Sequence, residues 1–176
     1  IALMKDQVQN LNNKGIKALA IYSGMPYSKI DITLDNAIYG DFKFLYVSPE
    51  RLHTPLFKER VKRMDINFLV VDEAHCISQW GYDFRPAYLE IKEIKKLIGD
   101  VPVIALTATA TKSVADDIMR CLDFQAPNVI SSGFERNNLS YVVRNVDDKF
   151  GNLLKICNGV PGTGIVYVRE RKRCEE

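Results

Sequence analysis

An α/β fold is predicted, built on a parallel sheet with helices on both faces, and three observations predict it. Short, nearly unbroken apolar runs recur at 18–22, 44–47, 68–71 and 103–106, as buried strands of a parallel sheet require. Stretches with apolar residues at helical spacing separate them, so each strand can cross over to a parallel neighbour through a right-handed connection. Two of the runs close in polar clusters, Asp72-Glu73-Ala74-His75 and Thr107-Ala108-Thr109. In open α/β sheets ligands bind beyond the carboxyl ends of the strands, so both clusters are expected at one shared crevice.

The elements follow in order. Met4, Val8 and Leu11 lie at helical spacing, Lys14-Gly15 ends that segment, and 18–22 reads as a buried strand. A helix over 27–39 precedes the strand 44–47. Thr54-Pro55 supplies a cap and a first-turn proline for a helix whose buried side carries Phe57, Val61 and Met64. The charges Lys58, Glu59, Arg60, Lys62 and Arg63 then form its solvated face. After the strand 68–71, Ile91, Ile94, Leu97 and Ile98 make the inward stripe of a helix. The strand 103–106 follows, then a second stripe of Val114, Ile118, Cys121 and Leu122. Past Ser131-Ser132-Gly133 the chain turns polar, and a helix near 150–156 and a strand at 165–168 follow.

Composition narrows the function classes. Hydrophobic residues at 47% and charged residues at 26% match a globular protein. No apolar stretch approaches the roughly 20 residues of a membrane-spanning helix, so no membrane partner is expected. A net charge of +2 does not by itself announce nucleic acid. Cys76, Cys121, Cys157 and Cys174 are too widely spaced for a C-x-x-C metal site, and reduced thiols in an intracellular compartment are the simpler reading. Ile1 is no initiator methionine and 169–176 open a helix that does not finish, so a fragment of a longer chain is expected, with more of the same protein on both sides.

Asp72 and Glu73 form a carboxylate pair of the kind that holds a magnesium ion and orients water against a phosphate. Between the clusters, Ser78 to Pro86 combines aromatics with an arginine, a glycine and a proline, a composition that resists regular helix and favours a shaped loop. Bases can stack on such rings, each contributing roughly 1 to 3 kcal/mol whatever its sequence.

With these residues laid out, the stretch VVDEAHCISQWGYDFRPAY at 70–88 resembles the RecQ family of ATP-dependent DNA helicases, motors of superfamily two. The segment 1–8 is similar to that family's first DNA-facing helix, 46–52 to a second DNA-contacting motif, and 105–111 to the motif joining nucleotide to DNA. The segment 134–139 resembles its interdomain segment, with Asn137 where proline is common, and 164–176 the first strand and helix of its second motor domain. The resemblance implies a RecA-like fold of the P-loop NTPase type, truncated at its N-terminus. Residues 1–133 would be the distal part of the first motor domain, 134–148 an interdomain linker, and 149–176 the start of the second domain.

The roles follow from that resemblance. Asp72 is expected to ligate magnesium, Glu73 to polarise the attacking water on the γ-phosphate of ATP, and His75 to join them to the DNA site through Thr107 and Thr109. Gln79 and Arg136 are expected to help in coupling. Trp80, Phe84 and Arg85 are expected to sense single-stranded DNA, while Ser48, Arg51 and Lys5 contact its phosphates. Such a protein would couple Mg-ATP hydrolysis to translocation on single-stranded DNA and unwinding of duplex DNA, in repair and recombination. It would work in the cytoplasm of a bacterium or the nucleus of a eukaryote. The chain contains no G-x-x-x-x-G-K-[ST] phosphate loop, which such helicases place upstream of the segment where Ile1 begins, so the isolated fragment is expected to be inactive. An RNA helicase of the same superfamily and a non-hydrolysing DNA-binding module are the alternatives.

Overall fold

The computed structural model of the 176-residue chain describes residues 1–80, 83–133, 136 and 138–168. Contacts divide the chain into two units, Ile1–Val129 and Ile130–Glu176.

In the first unit the predicted alternation is present. Helix α1 (Ala2–Asn13) leads through Gly15, whose φ of +76° turns the backbone as few residues other than glycine can, into β1 (Ala18–Ile21). Helix α2 (Tyr27–Tyr39) and β2 (Phe44–Val47) follow, then the short α3 (Pro49–Leu52) and α4 (Pro55–Val61), each opened by a first-turn proline. Strand β3 (Leu69–Val71), α5 (Glu90–Ile98), β4 (Val103–Ala105) and α6 (Lys112–Cys121) complete it. Strand β1 pairs in parallel with β2, and β3 with β4, Val71 lying opposite Ala105.

One contiguous core joins these elements: Ile21, Leu34, Phe57, Val71, Ile77, Ile94, Ile118 and Leu122 are all buried in it. The residues at helical spacing in α5 and α6 supply the side that is buried in this core, as their periodicity requires. On the other face of β3 and β4, Phe68, Val70, Ile104 and Leu106 stay exposed.

Several details depart from the sequence reading. Strand β3 begins at Leu69 and β4 ends at Ala105, one residue inside the apolar runs, because pairing and not hydropathy sets a strand's ends. Thr54 holds the N-cap position of α4, yet its hydroxyl donates backward to the Arg51 carbonyl at 2.8 Å. The charged side of α4 is not simply solvated. Arg60 binds Asp31 at 2.8 Å and also Asp35, both on α2, while Lys58 binds Glu90 of α5 at 2.8 Å. These charges clamp three helices together.

The second unit holds α7 (Lys149–Gly159), opened by the Asp148 carboxylate accepting from the Gly151 N–H at 2.9 Å. The expected strand at 165–168 is irregular backbone, with Ile165 and Tyr167 exposed. A strand is held by its neighbours' hydrogen bonds, and β-propensity alone does not supply them. Residues 169–176, the expected following helix, lie outside the described residues, as do Phe134, Glu135 and Asn137 of the expected linker.

Candidate functional site

The parallel ladder brings the two polar clusters together. Beyond the last paired residues the Leu106 N–H donates to the Val71 carbonyl at 2.8 Å, and the Ala74 N–H donates to the Leu106 carbonyl at 2.9 Å. Residues 72–74 and 106–107 are thereby held side by side at the carboxyl ends of β3 and β4. This is where an α/β sheet offers its ligand crevice.

Between them the backbone turns abruptly. Glu73 sits at φ +49° and ψ +42°, a left-handed conformation that costs a residue with a Cβ about 1 kcal/mol or more. Its N–H is taken by the Asp72 carboxylate at 2.9 Å, and a 3₁₀ turn over Ala74–Ile77 follows. The turn leaves both carboxylates exposed while Ala74, Cys76 and Ile77 descend into the core. Tyr88 supports it from below: its buried hydroxyl donates to the Asp72 carbonyl at 3.3 Å, and burial pushes its pKa up to about 12.

His75 stands at the junction of the clusters. Its Nδ1 lies 3.1 Å from the Thr107 hydroxyl and 3.3 Å from a Glu73 carboxylate oxygen. Nδ1 thus faces Thr107 and Glu73, and Nε2 lies on the far side of the ring. That far side holds Cys76, whose Sγ is 3.7 Å from Nε2. Thr109 does not reach the imidazole; its N–H donates to the Thr107 hydroxyl at 3.3 Å and so orients the residue that does.

The shaped loop leaves this junction directly. Its start is fixed by the buried Ser78, whose hydroxyl accepts the Trp80 N–H at 3.2 Å, and its end by the Arg85 N–H donating to the Cys76 carbonyl at 2.9 Å. Trp80 is 77% exposed, which removes it from the core. Trp80 and Gln79 line a cleft of about 200 Å³ whose opposite side is Asp117, Arg120 and Cys121 of α6. Phe84 is half-buried. Arg85 is exposed and pairs with Asp83 at 2.6 Å, which holds the Asp83 carboxyl below the usual carboxylate range. Gly81 and Tyr82, within this loop, lie outside the described residues.

Lys5, Ser48 and Arg51 gather at the carboxyl ends of β1 and β2. The Lys5 ammonium lies 5.1 Å from the ring centre of Tyr22, and Arg51 Nε donates to the Tyr22 carbonyl at 3.3 Å. Ser48 is buried, and its hydroxyl has no hydrogen-bond partner among the described residues. Arg136 belongs to the second unit, where its carbonyl accepts the Leu139 N–H at 3.0 Å.

The structure brings together the carboxylates, His75 and Thr107, which the sequence singles out, and adds Tyr88, Tyr22 and the pairing of Cys76 with Asp83, to which the sequence does not point. Tyr88 closes the same motif string, which is the signal that could find it. Tyr22 follows a strand with no motif around it. No helix among the described residues is long and apolar enough to cross a membrane.

A family model described as DEAD/DEAH box helicase matches residues 1–118. The chain is 37% identical over 179 residues to an ATP-dependent DNA helicase RecQ of Pasteurella multocida, covering 99% of this chain and 28% of that protein. It is 41% identical over 177 residues to an ATP-dependent DNA helicase RecQ of Bacillus subtilis, covering 99% of this chain and 30% of that one. A probable ATP-dependent DNA helicase RecS of Bacillus subtilis is 39% identical over 180 residues, covering all of this chain and 36% of its own length. The chain thus spans about a third of the length of these relatives.

Proposed function

The chain belongs to the DEAD/DEAH box helicase family, and from that premise we propose that it forms the distal part of the first motor domain of a RecQ-type ATP-dependent DNA helicase, followed by the linker and the start of the second domain. The observation that carries this reading is the junction of Glu73, His75 and Thr107, with the exposed Trp80 five residues along the same chain.

The exposed Asp72 carboxylate keeps one oxygen for its own turn and one for solvent. Such a group suits magnesium, which retains most of its waters and takes one or two carboxylates. Bound there with the triphosphate, the metal would neutralise charge on the phosphates. Asp72 holds that charge in place. Glu73, exposed at the turn, accepts a hydrogen bond from water and aims it toward the γ-phosphate. His75 reports the position of Glu73 to Thr107 through its Nδ1.

Single-stranded DNA stacks a base on Trp80 or Phe84 and shifts the loop that ends on Cys76, one residue from His75. Lys5 and Arg51 supply phosphate contacts, and Gln79 and Arg136 assist coupling. The protein thereby couples ATP hydrolysis to movement along single-stranded DNA and to duplex opening, in repair and recombination.

The test is an ATPase and strand-separation assay on a full-length protein carrying this segment, with DNA and RNA of matched sequence. Hydrolysis stimulated by single-stranded DNA, with DNA duplexes unwound in preference to RNA, is expected. Equal stimulation by RNA would overturn the assignment.

A further inference from the structure

Beneath the coupling histidine lie a thiol and a carboxylate, those of Cys76 and Asp83, that hydrolysis and DNA contact do not use. The Cys76 Sγ sits 3.7 Å from His75 Nε2 and 3.8 Å from an Asp83 carboxylate oxygen, and the three ligand atoms all fall within 4.8 Å of one another. Ligands at roughly 2.0 to 2.3 Å from a tetrahedral zinc ion stand about 3.3 to 3.8 Å apart. The two short edges here already have that length.

We propose that His75, Cys76 and Asp83 form a three-ligand site for a soft divalent transition-metal ion, zinc above all, which on binding pins the aromatic loop to the strand end and blocks the loop movement that coupling needs.

Three further features fit. The first is the orientation of the ring: Nδ1 is turned to Thr107 and Glu73, which leaves Nε2 facing the cluster, the arrangement that metal-ligating histidines adopt. The second is the donor set, since imidazole, thiolate and carboxylate together select zinc over magnesium or calcium. The third is access. Cys76 is buried, but the Asp83 side chain is 52% exposed and opens the cluster to solvent. Arg85 Nη2 holds the same Asp83 Oδ2 that lies against Sγ, so on binding the carboxylate turns to give that oxygen to the metal and its Oδ1 to the guanidinium.

A nucleophilic cysteine triad is the competing use of these residues. It fails on geometry, because the carboxylate faces the thiol and not the imidazole, and the thiol is buried at 1% exposure. Metal uptake replaces the thiol proton: the S–H bond breaks, the sulfur electron pair passes to zinc, and the proton leaves to solvent. Affinity therefore rises with pH.

Binding is tested on the 176-residue chain with zinc against a chromogenic chelator, and with cobalt as a spectroscopic probe. One tightly held ion and a thiolate-to-cobalt charge-transfer band are expected. Cys76→Ser should abolish the band. Asp83→Asn, at an exposed position, should keep the band and weaken zinc binding about 10-fold or more, so it decides the matter should Cys76→Ser fail to fold. Cys157→Ser, at an exposed thiol in the second unit, should change nothing. Equal zinc uptake by wild type and Asp83→Asn, or a band lost only in Cys157→Ser, would overturn the site. The consequence for coupling rests on the proposed function and is read separately. Zinc should suppress DNA-stimulated ATPase of a full-length protein carrying this segment, and Asp83→Asn should resist it. DNA stimulation insensitive to bound zinc overturns the regulatory role, whereas no DNA stimulation in metal-free protein overturns the helicase reading instead.

Discussion

His75 Nδ1 and the Thr107 hydroxyl lie 3.1 Å apart, a side-chain bridge between the end of β3 and the end of β4. Thr107→Val keeps the shape and removes the hydroxyl. In a full-length protein carrying this segment it should reduce stimulation of ATPase by single-stranded DNA about 5-fold, which corresponds to the roughly 1 kcal/mol of one hydrogen bond. Thr107→Ser should restore it. Steady-state phosphate release over a DNA titration provides the measurement, and a loss in Thr107→Ser with none in Thr107→Val would show that the methyl group matters and the hydroxyl does not.

Glu73→Gln should leave nucleotide affinity intact and lower turnover roughly 10²- to 10⁴-fold, the range expected for removing a group that accepts a proton from water. Titration with a fluorescent nucleotide analogue, beside turnover, separates the two. A proportional fall in both would make Glu73 a structural residue.

The left-handed backbone at Glu73 gives a second, purely structural expectation. Glu73→Gly should be more stable than Glu73→Ala by about 1 kcal/mol, since only the latter keeps a Cβ in that conformation. Thermal melting of the two variants is sufficient, and identical midpoints would argue that the turn relaxes.

Trp80→Ala should shift stability by no more than about 0.5 kcal/mol, because the ring is 77% exposed. It should nevertheless cost roughly 1 to 3 kcal/mol in single-stranded DNA affinity, the worth of one stacked base. Fluorescence anisotropy with a labelled oligonucleotide, compared with the melting curve, distinguishes these. Unchanged affinity would remove Trp80 from the DNA surface.

Ser48→Ala should stabilise the fold, by about 1 kcal/mol, because it deletes a buried hydroxyl without a partner. Chemical denaturation measures the change. If the variant is instead less stable, the hydroxyl is hydrogen-bonded in solution.

Many of these relations are legible in the amino-acid sequence. The strands ending in Asp72 and Thr107 announce a shared crevice because parallel strands must end on the same side, and the ladder through Val71 and Leu106 delivers that. The helical stripes around Ile94 and Ile118 are legible because burial repeats with the helical period. Other relations are not local. That Arg60 reaches Asp31 and Asp35 depends on how α4 crosses α2, which no spacing encodes. The strand expected at 165–168 fails for the same reason: its residues suit a strand, but pairing partners lie outside any short window. The left-handed turn at Glu73 carries no sequence signal at all, since glycine or asparagine is the expected residue there.

The bare side of β3 and β4 has a practical consequence. Phe68, Val70, Ile104 and Leu106 line up across two neighbouring strands, where parallel sheets elsewhere carry a covering layer. Preparations of the 176-residue chain should accordingly tolerate concentration poorly. Sulfate or phosphate, which strengthen the tendency of apolar surface to leave water, should bring on turbidity sooner than chloride at equal ionic strength.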